Sequence, residues 1–301
     1  MNAGGKTFNL QTPLVLHTLP TSTAKMSALQ VENLFAVAGK VVLVTGGSRG
    51  IGKMIASAFV RNGAKVYISA RSAKECQATA EELGTSGPGS CIAIPADMSK
   101  FSELERFVQE LSARETVLNI LINNAGTTWA EPIDEYTDEG FSKVLTLNLQ
   151  RVFTLIQKLL PLLRAGAAQS GKSGAVYNDP ARIINIGSVE GIGVPDHDTY
   201  AYSAAKAGLH HLSRHLAGRL GPEGIVSNTI ACGAFESKMT AQFFEAAGNI
   251  IINQVPTNRF GTPEDIAGTT LFLASRAGAY VNGATIALDG GFLVNMPMSK
   301  L

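Results

Sequence analysis

Tyr202 and Lys206 stand four residues apart within a helical pattern from Thr199 to Leu220, so they share one helix face. A free tyrosine titrates at about pH 10, too high for ready proton exchange at neutrality. A neighbouring ammonium favours the phenolate and lowers that value. Such a phenol can give a proton to a ketone oxygen as hydride arrives, or take one from an alcohol. Tyr200 has no such partner, since Ala204 stands four residues on. Ser188, in Ile186-Gly187-Ser188, can hydrogen-bond a carbonyl and orient it, or it can cap a turn. Asn148, in Leu147-Asn148-Leu149, is polar within an apolar helix. It can back-bond inside that helix, or hold a water that passes protons to Lys206.

A second constellation precedes these residues. Thr45-Gly46-Gly47-Ser48-Arg49-Gly50-Ile51-Gly52 follows the apolar run Val41 to Val44 and leads into a helical pattern, Lys53 to Asn62, closed by Gly63. The spacing is G-x-x-x-G-x-G, and a tight structural turn would also use glycines. Strand, glycine turn and helix together favour a dinucleotide site. Gly46 turns the chain, while Gly50 and Gly52 let a pyrophosphate approach the backbone at a helix N-terminus. Arg49 sits in the turn, and Arg71 follows Ser69-Ala70 at the end of the second strand. A carboxylate there would bind the ribose 2′-hydroxyl of NAD, but no acid is present. Two guanidinium groups pair instead with a 2′-phosphate, so NADP(H) is the expected cofactor; the plainer alternative is two solvated arginines. A bound cationic nicotinamide would add to the pull of Lys206 on Tyr202. Asp97 can accept from an adenine amino group, or belong to a helix N-cap region with Ser99 as rival cap.

These residues need a scaffold that brings strand ends together. The chain has 301 residues, 45% of them hydrophobic, enough for one large core. A net charge of +1 gives no reason to expect nucleic acid or an anionic membrane, and no apolar run is long enough to span a bilayer. Cys76, Cys91 and Cys232 are scattered thiols, which suggests a reducing compartment. Strand patterns occur at 41–44, 65–70, 91–95, 119–123, 182–186, 225–231 and 285–288. Helical patterns alternate with them at 53–62, 72–83, 100–114, 137–163 and 199–220. Residues 165–181, rich in Gly, Ala and Ser, read as a surface loop. The alternation predicts a single-domain α/β fold, a doubly wound (Rossmann) parallel seven-stranded sheet with helices on both faces. Residues 1–36 form an expected flexible extension, 37–295 the catalytic domain, and 296–301 a tail. Residues 1–25 carry Lys6 and Lys25 and no acid, as in a disordered tail, a weak transit peptide, or an extension upstream of Met26. The final Ser299-Lys300-Leu301 reads as a peroxisomal address and so implies an import receptor, the alternative being a cytoplasmic protein if the signal is not used. His210, His211 and His215 lack a third ligand or an H-E-x-x-H context, which favours a solvated or subunit-facing helix surface over a metal site.

Taken together, several ordered motifs resemble the short-chain dehydrogenase/reductase family over nearly all of Val37 to Phe292. They are the glycine turn 45–52, Asn123-Asn124-Ala125-Gly126, Asn148, Ser188, Tyr202-Ser203-Ala204-Ala205-Lys206 and Asp289-Gly290-Gly291. Within the family the chain is similar to β-ketoacyl reductases, particularly those named for rhamnolipid synthesis. The resemblance implies a catalytic tetrad of Asn148, Ser188, Tyr202 and Lys206, with Lys206 also holding the nicotinamide ribose. It implies cofactor contacts from Gly46, Ser48, Arg49, Gly50, Ile51, Gly52, Arg71, Asp97, Met98, Asn124, Ala125, Gly126, Tyr202, Lys206 and Gly233. It implies a homodimer or homotetramer packed through the two long helices. The family usually has Pro-Gly where this chain has Cys232-Gly233. Cys232 is expected near the nicotinamide as a small packing residue rather than a thiol catalyst. Residues of about 234–261 should form a substrate lid. The expected activity is NADPH-dependent reduction of a ketone, such as a β-ketoacyl thioester, to a secondary alcohol. The alternatives are a dienoyl-CoA-type reductase, a secondary-metabolite alcohol dehydrogenase, or a non-catalytic NADP(H)-binding protein.

Overall fold

The computed structural model describes residues 27–235 and 252–295. The expectations for residues 1–26, for the middle of the lid and for the C-terminal address lie outside the described residues. Seven strands form one sheet: β1 Val41–Thr45, β2 Lys65–Ser69, β3 Ser90–Ala93, β4 Ile120–Asn123, β5 Ala181–Ile186, β6 Ile225–Cys232 and β7 Thr285–Leu288. Their order is β3-β2-β1-β4-β5-β6-β7, and every pairing is parallel. The helices between them are α1 Gly50–Arg61, α2 Ala73–Gly84, α3 Phe101–Arg114, α4 Asp138–Leu145, α5 Arg151–Gln169, α6 Tyr200–Leu220 and α7 Pro263–Ala274.

The central strands are rich in apolar residues because both of their faces are covered. Val42 and Val44 pack into one core with Ile55 and Phe59 of α1 and Ile266 of α7. Val41 and Leu43 point the other way, into a core with Phe107 of α3, Leu159 of α5 and Leu209 of α6. The same alternation holds in β5, where Ile184 and Ile186 join the first core and Ala181 and Ile183 the second. Strand order reverses between β1 and β4, which places the crevice at the carboxyl ends of those two strands.

Three sequence expectations need correction. The helix predicted over 137–163 is two helices joined by a π-helical turn, Thr146–Gln150. The predicted loop over 165–181 begins later, because α5 continues to Gln169. Its small residues serve close packing: a Cβ on Gly166 would stand 2.2 Å from the Leu118 carbonyl oxygen. A short hairpin, Lys172–Ser173 with Val176–Tyr177, follows. Helix α7 was not foreseen, although Thr262-Pro263-Glu264-Asp265 carries its signal, a capping box with proline in the first turn.

Candidate active site

The glycine turn forms a side-chain-free cradle between β1 and α1. Gly46 has φ 65°, a left-handed value that glycine adopts freely. A Cβ on Gly52 would stand 2.3 Å from the Gly46 carbonyl oxygen, so helix and turn can meet this closely only at glycine. Helix α1 starts at Gly50, with Arg49 as its extended N-cap and no side chain capping it. Its first N–H groups therefore face the crevice, as anion binding requires. Asn124 braces the cradle from β4: Nδ2 donates to the carbonyls of Thr45 at 2.9 Å and Gly46 at 3.1 Å. In return, Thr45 Oγ1 accepts from the N–H groups of Asn124 and Ala125, both at 3.0 Å. The Thr79 hydroxyl holds the Ser48 carbonyl at 3.0 Å, and half-buried Ile51 packs on the core beneath.

Arg49 and Arg71 are both exposed, and among the described residues neither enters an ion pair. The buried Ser69 hydroxyl, at the end of β2, has no partner. The free cradle, the uncapped helix and two open guanidinium groups fit a phosphorylated dinucleotide. Asp97 spends Oδ1 on the turn into α3, accepting from the Ser99 N–H at 3.0 Å and the Ser99 hydroxyl at 2.7 Å. The Met98 side chain is buried in the core, beside a void of about 10 Å³ lined by Thr45, Asn123 and Arg151. Only the backbone of Met98 is therefore left to meet a cofactor.

The residues expected to transfer protons converge at the ends of β5 and β6. Asn148 is buried in the π-helical turn and does not bond within its helix. Its Oδ1 accepts from the Thr127 N–H at 2.9 Å, and its Nδ2 donates to the Thr127 carbonyl at 2.8 Å. It thereby pins the loop after Asn124-Ala125-Gly126; a Cβ on Gly126 would lie 3.2 Å from Asn148 Oδ1. The ammonium of buried Lys206 donates to the Ile186 carbonyl at 2.7 Å and lies 5.4 Å from the centre of the Tyr202 ring. The Tyr202 phenol hydrogen-bonds the Ser188 hydroxyl.

Burial pushes the Tyr202 phenol well above its ordinary value, the Glu190 charge adds to this, and the Ser188 hydrogen bond opposes it. The expected depression by Lys206 is therefore not what the folded chain supplies. Lys206 Nζ, held by the Ile186 carbonyl, stands 5.4 Å from the ring centre, and burial of the phenol outweighs its pull. Burial likewise brings Lys206 down to about 8, against the charges of Cys232 and Glu190. The Cys232 thiol is pushed up to about 12 by burial and packs in the core, as a packing residue would. Gly233 follows it, with its N–H on the Leu288 carbonyl at 3.0 Å.

Sequence reasoning misplaced one residue here and missed another, together with a chain of buried polar groups. His210 is buried, not on a solvated helix surface. The Ser188 N–H donates to its Nε2 at 3.4 Å, and the ring also hydrogen-bonds the Gly191 backbone. Burial, with the charges of Lys206 and Arg214, brings His210 down to about 4, so the ring is neutral and one nitrogen is free to accept. His211 and His215 are exposed, and among the described residues no cluster of three metal-binding side chains exists. Glu190 was not singled out, though it lies two residues past Ser188. Nor was the chain of buried polar groups under the site. In it Asn123 donates to Asn185 at 2.8 Å, Asn185 to Ser213 at 3.1 Å, and Ser213 meets Ser227 at 3.0 Å. Asn123 and Asn185 each interrupt or end an apolar strand, and that was the available signal.

Comparison with known proteins agrees with this geometry. Residues 46–293 match the family model described as enoyl-(acyl carrier protein) reductase. A rhamnolipids biosynthesis 3-oxoacyl-[acyl-carrier-protein] reductase from Pseudomonas aeruginosa is 45% identical over 260 residues, covering 86% of this chain and 98% of that protein. The 3-oxoacyl-[acyl-carrier-protein] reductase FabG of Escherichia coli is 36% identical over 253 residues, covering 84% of this chain and 97% of the relative. The solved Pseudomonas aeruginosa RhlG/NADP active-site complex superposes with a TM-score of 0.80 at 45% identity, over 86% of this chain and 98% of that one. With its doubly wound sheet, its glycine cradle and its Tyr202–Lys206 pair set beside Ser188, the chain belongs to the short-chain dehydrogenase/reductase family.

Proposed function

We propose that the protein is an NADPH-dependent reductase that converts a ketone to a secondary alcohol, with a β-ketoacyl thioester or a related carbonyl as substrate. The observation that carries this is the hydrogen-bonded pair of Ser188 and Tyr202 hydroxyls with buried Lys206 close by. NADPH, when bound, supplies the hydride. Gly46, Ser48, Arg49, Gly50, Ile51, Gly52, Asn124, Ala125, Gly126 and Gly233 would hold it, and Arg49 and Arg71 would favour its 2′-phosphate. Ser188 orients the carbonyl oxygen, and Tyr202 gives that oxygen its proton. The NADP complex of the 45% identical relative and the names of the 3-oxoacyl reductases support the same reading.

The test is oxidation of NADPH against a panel of β-ketoacyl thioesters, linear ketones and cyclic ketones. Tyr202→Phe should lower turnover by about 10³-fold. NADPH binding, followed through the single tryptophan, Trp129, should persist. Cofactor binding without turnover on any carbonyl would point to the non-catalytic alternative. Assembly as a homodimer or homotetramer is part of the proposal and is checked by measuring molar mass in solution by light scattering. Peroxisomal delivery through Ser299-Lys300-Leu301 is a further part; a fluorescent fusion should lose that location when the three residues are removed.

A further inference from the structure

The adenine end of a dinucleotide is expected between β3 and α3, at Asp97 and the backbone of Met98. Residues 94–100 have neither strand nor helix of their own, so their position is set by what bonds to them. The Ala96 N–H donates to the Ala70 carbonyl at 3.1 Å, next to Arg71. From α3, Arg106 donates to the Pro95 carbonyl at 2.5 Å, and Glu103 Oε2 accepts from the Asp97 N–H at 2.8 Å. A further tie arrives from α5, across 52 residues of chain: Arg151 Nε donates to the Ser99 carbonyl at 3.0 Å. The Arg151 guanidinium also lies 5.6 Å from the centre of the Phe101 ring, at the first residue of α3. Among the described residues it enters no ion pair, and no other side chain from beyond β4 hydrogen-bonds this segment.

Ser99 is thereby gripped on both sides. Its N–H and hydroxyl serve Asp97 Oδ1, and its carbonyl serves Arg151. Fixing Ser99 fixes the Asp97 carboxylate, whose Oδ2 has no hydrogen-bond partner among the described residues and is the acceptor left for an adenine amino group. The backbone of Arg151 does a second job. Its N–H closes the π-helical turn on the Thr146 carbonyl, and that turn carries Asn148, which pins Thr127 just past Gly126. We propose that Arg151 is a positioning residue for the cofactor: from the helix that begins at the Asn148 turn, it holds the 97–99 platform in the place where the adenine docks. This rests on the NADP(H) reading of the cradle. Glu103 braces the same platform from α3, so the adenine end is clamped between two helices, one of which continues from the turn that sets the catalytic side. One donated hydrogen bond is a modest tie, but it acts on the residue that aims Asp97.

Arg151→Met keeps a long stem and removes the donor. Calorimetric titration of the full-length protein should show affinity for NADPH falling by about tenfold. Affinity for adenosine 2′,5′-bisphosphate, which carries the adenine end alone, should fall by a similar factor. Affinity for reduced nicotinamide mononucleotide, which lacks adenosine, should change by less than about twofold. In turnover, KM for NADPH should rise while kcat at saturating NADPH holds within about twofold, because Asn148 keeps its bonds to Thr127. Arg151→Lys, which restores a donor on a flexible stem, should recover most of the lost affinity. Glu103→Met removes the brace from α3 and should give the same pattern across the three ligands. In the double variant the two losses should depart from additivity, since both act on one platform. Equal losses for all three ligands would overturn the proposal. So would unchanged affinities in a variant that is only less stable to urea, which would make Arg151 a tie between α3 and α5 and nothing more. A wild-type protein that binds none of the three ligands would defeat the NADP(H) reading itself, an outcome read before any variant is compared.

Discussion

Around Gly46 and Gly52 the protein works by leaving side chains out, whereas around Tyr202 and Lys206 it works by burying groups that titrate. The cradle is backbone held by backbone, braced by the uncharged amide of Asn124 and the hydroxyl of Thr45. The cleft is a set of groups moved from their ordinary values by burial and by one another: Tyr202 up, Lys206 and His210 down, Cys232 up. The difference teaches where each half is fragile. The cradle should fail when an atom is added and should ignore pH. The cleft should tolerate shape and respond to charge.

In the cradle the largest expected effect is that of Gly52→Val. Its Cβ alone would meet the Gly46 carbonyl oxygen at 2.3 Å, so the turn must open. NADPH affinity should fall by at least about 100-fold, roughly 3 kcal/mol, at every pH tested. Trp129 fluorescence titration at several pH values checks this. A loss that grows or shrinks with pH would break the contrast between the two halves.

Charge enters the cofactor half at its exposed rim. Arg49→Glu and Arg71→Glu should each cost about tenfold in preference for NADPH over NADH, since both side chains lie open to solvent. NADH affinity should change little. The check is the ratio of kcat/KM for the two cofactors at low and at high salt, where the effect should shrink. An unchanged ratio would assign both arginines to the solvated surface.

His210 joins shape and charge. His210→Phe keeps a ring in the slot but leaves the buried Ser188 N–H without its acceptor. The Ser188 turn should shift, and kcat should fall by about tenfold while NADPH affinity holds. Steady-state kinetics beside the Trp129 binding titration separates the two. Equal losses in both would make His210 a fold residue rather than one that sets Ser188.

The two halves also differ in how far they could be read from the residues. β1, β4, β5 and β6 were visible because both faces are covered and the strands are rich in apolar residues. The cradle was visible because glycine spacing after a strand has few other uses. What the cleft does with its groups was not visible. The bonds from Ser188 to His210 and from Glu190 to Ser203 span 22 and 13 residues, so they exist only once β5 and α6 are packed. The π-helical turn at Asn148 escaped because apolar periodicity cannot separate one wide turn from a straight helix. Gly166, Ala167 and Ala168 looked like loop by composition, and only the approach to Leu118 explains them as helix.

The smallest effect is the most direct measure of what the cleft costs the fold. Burial brings Lys206 from its ordinary 10.5 to about 8, so an unfolded chain holds this proton where the folded chain has released it. Between those two values the unfolded state binds more protons, and the contribution of Lys206 to stability rises with pH; below about 8 the full cost is present. Lys206→Met removes the charge and most of that cost, but it leaves the Ile186 carbonyl without its donor. The balance should favour the variant by about 1 kcal/mol at pH 7, the remainder after the lost hydrogen bond. Near the upper end of the window the advantage should vanish. Urea unfolding of both proteins across the window, read as a difference so that other groups cancel, gives the answer. A variant that is less stable at pH 7 would mean that the Ile186 hydrogen bond outweighs the burial of the ammonium. The cleft would then be a source of stability that also does chemistry, and the cradle would be the only half in which the sequence accepts strain for function.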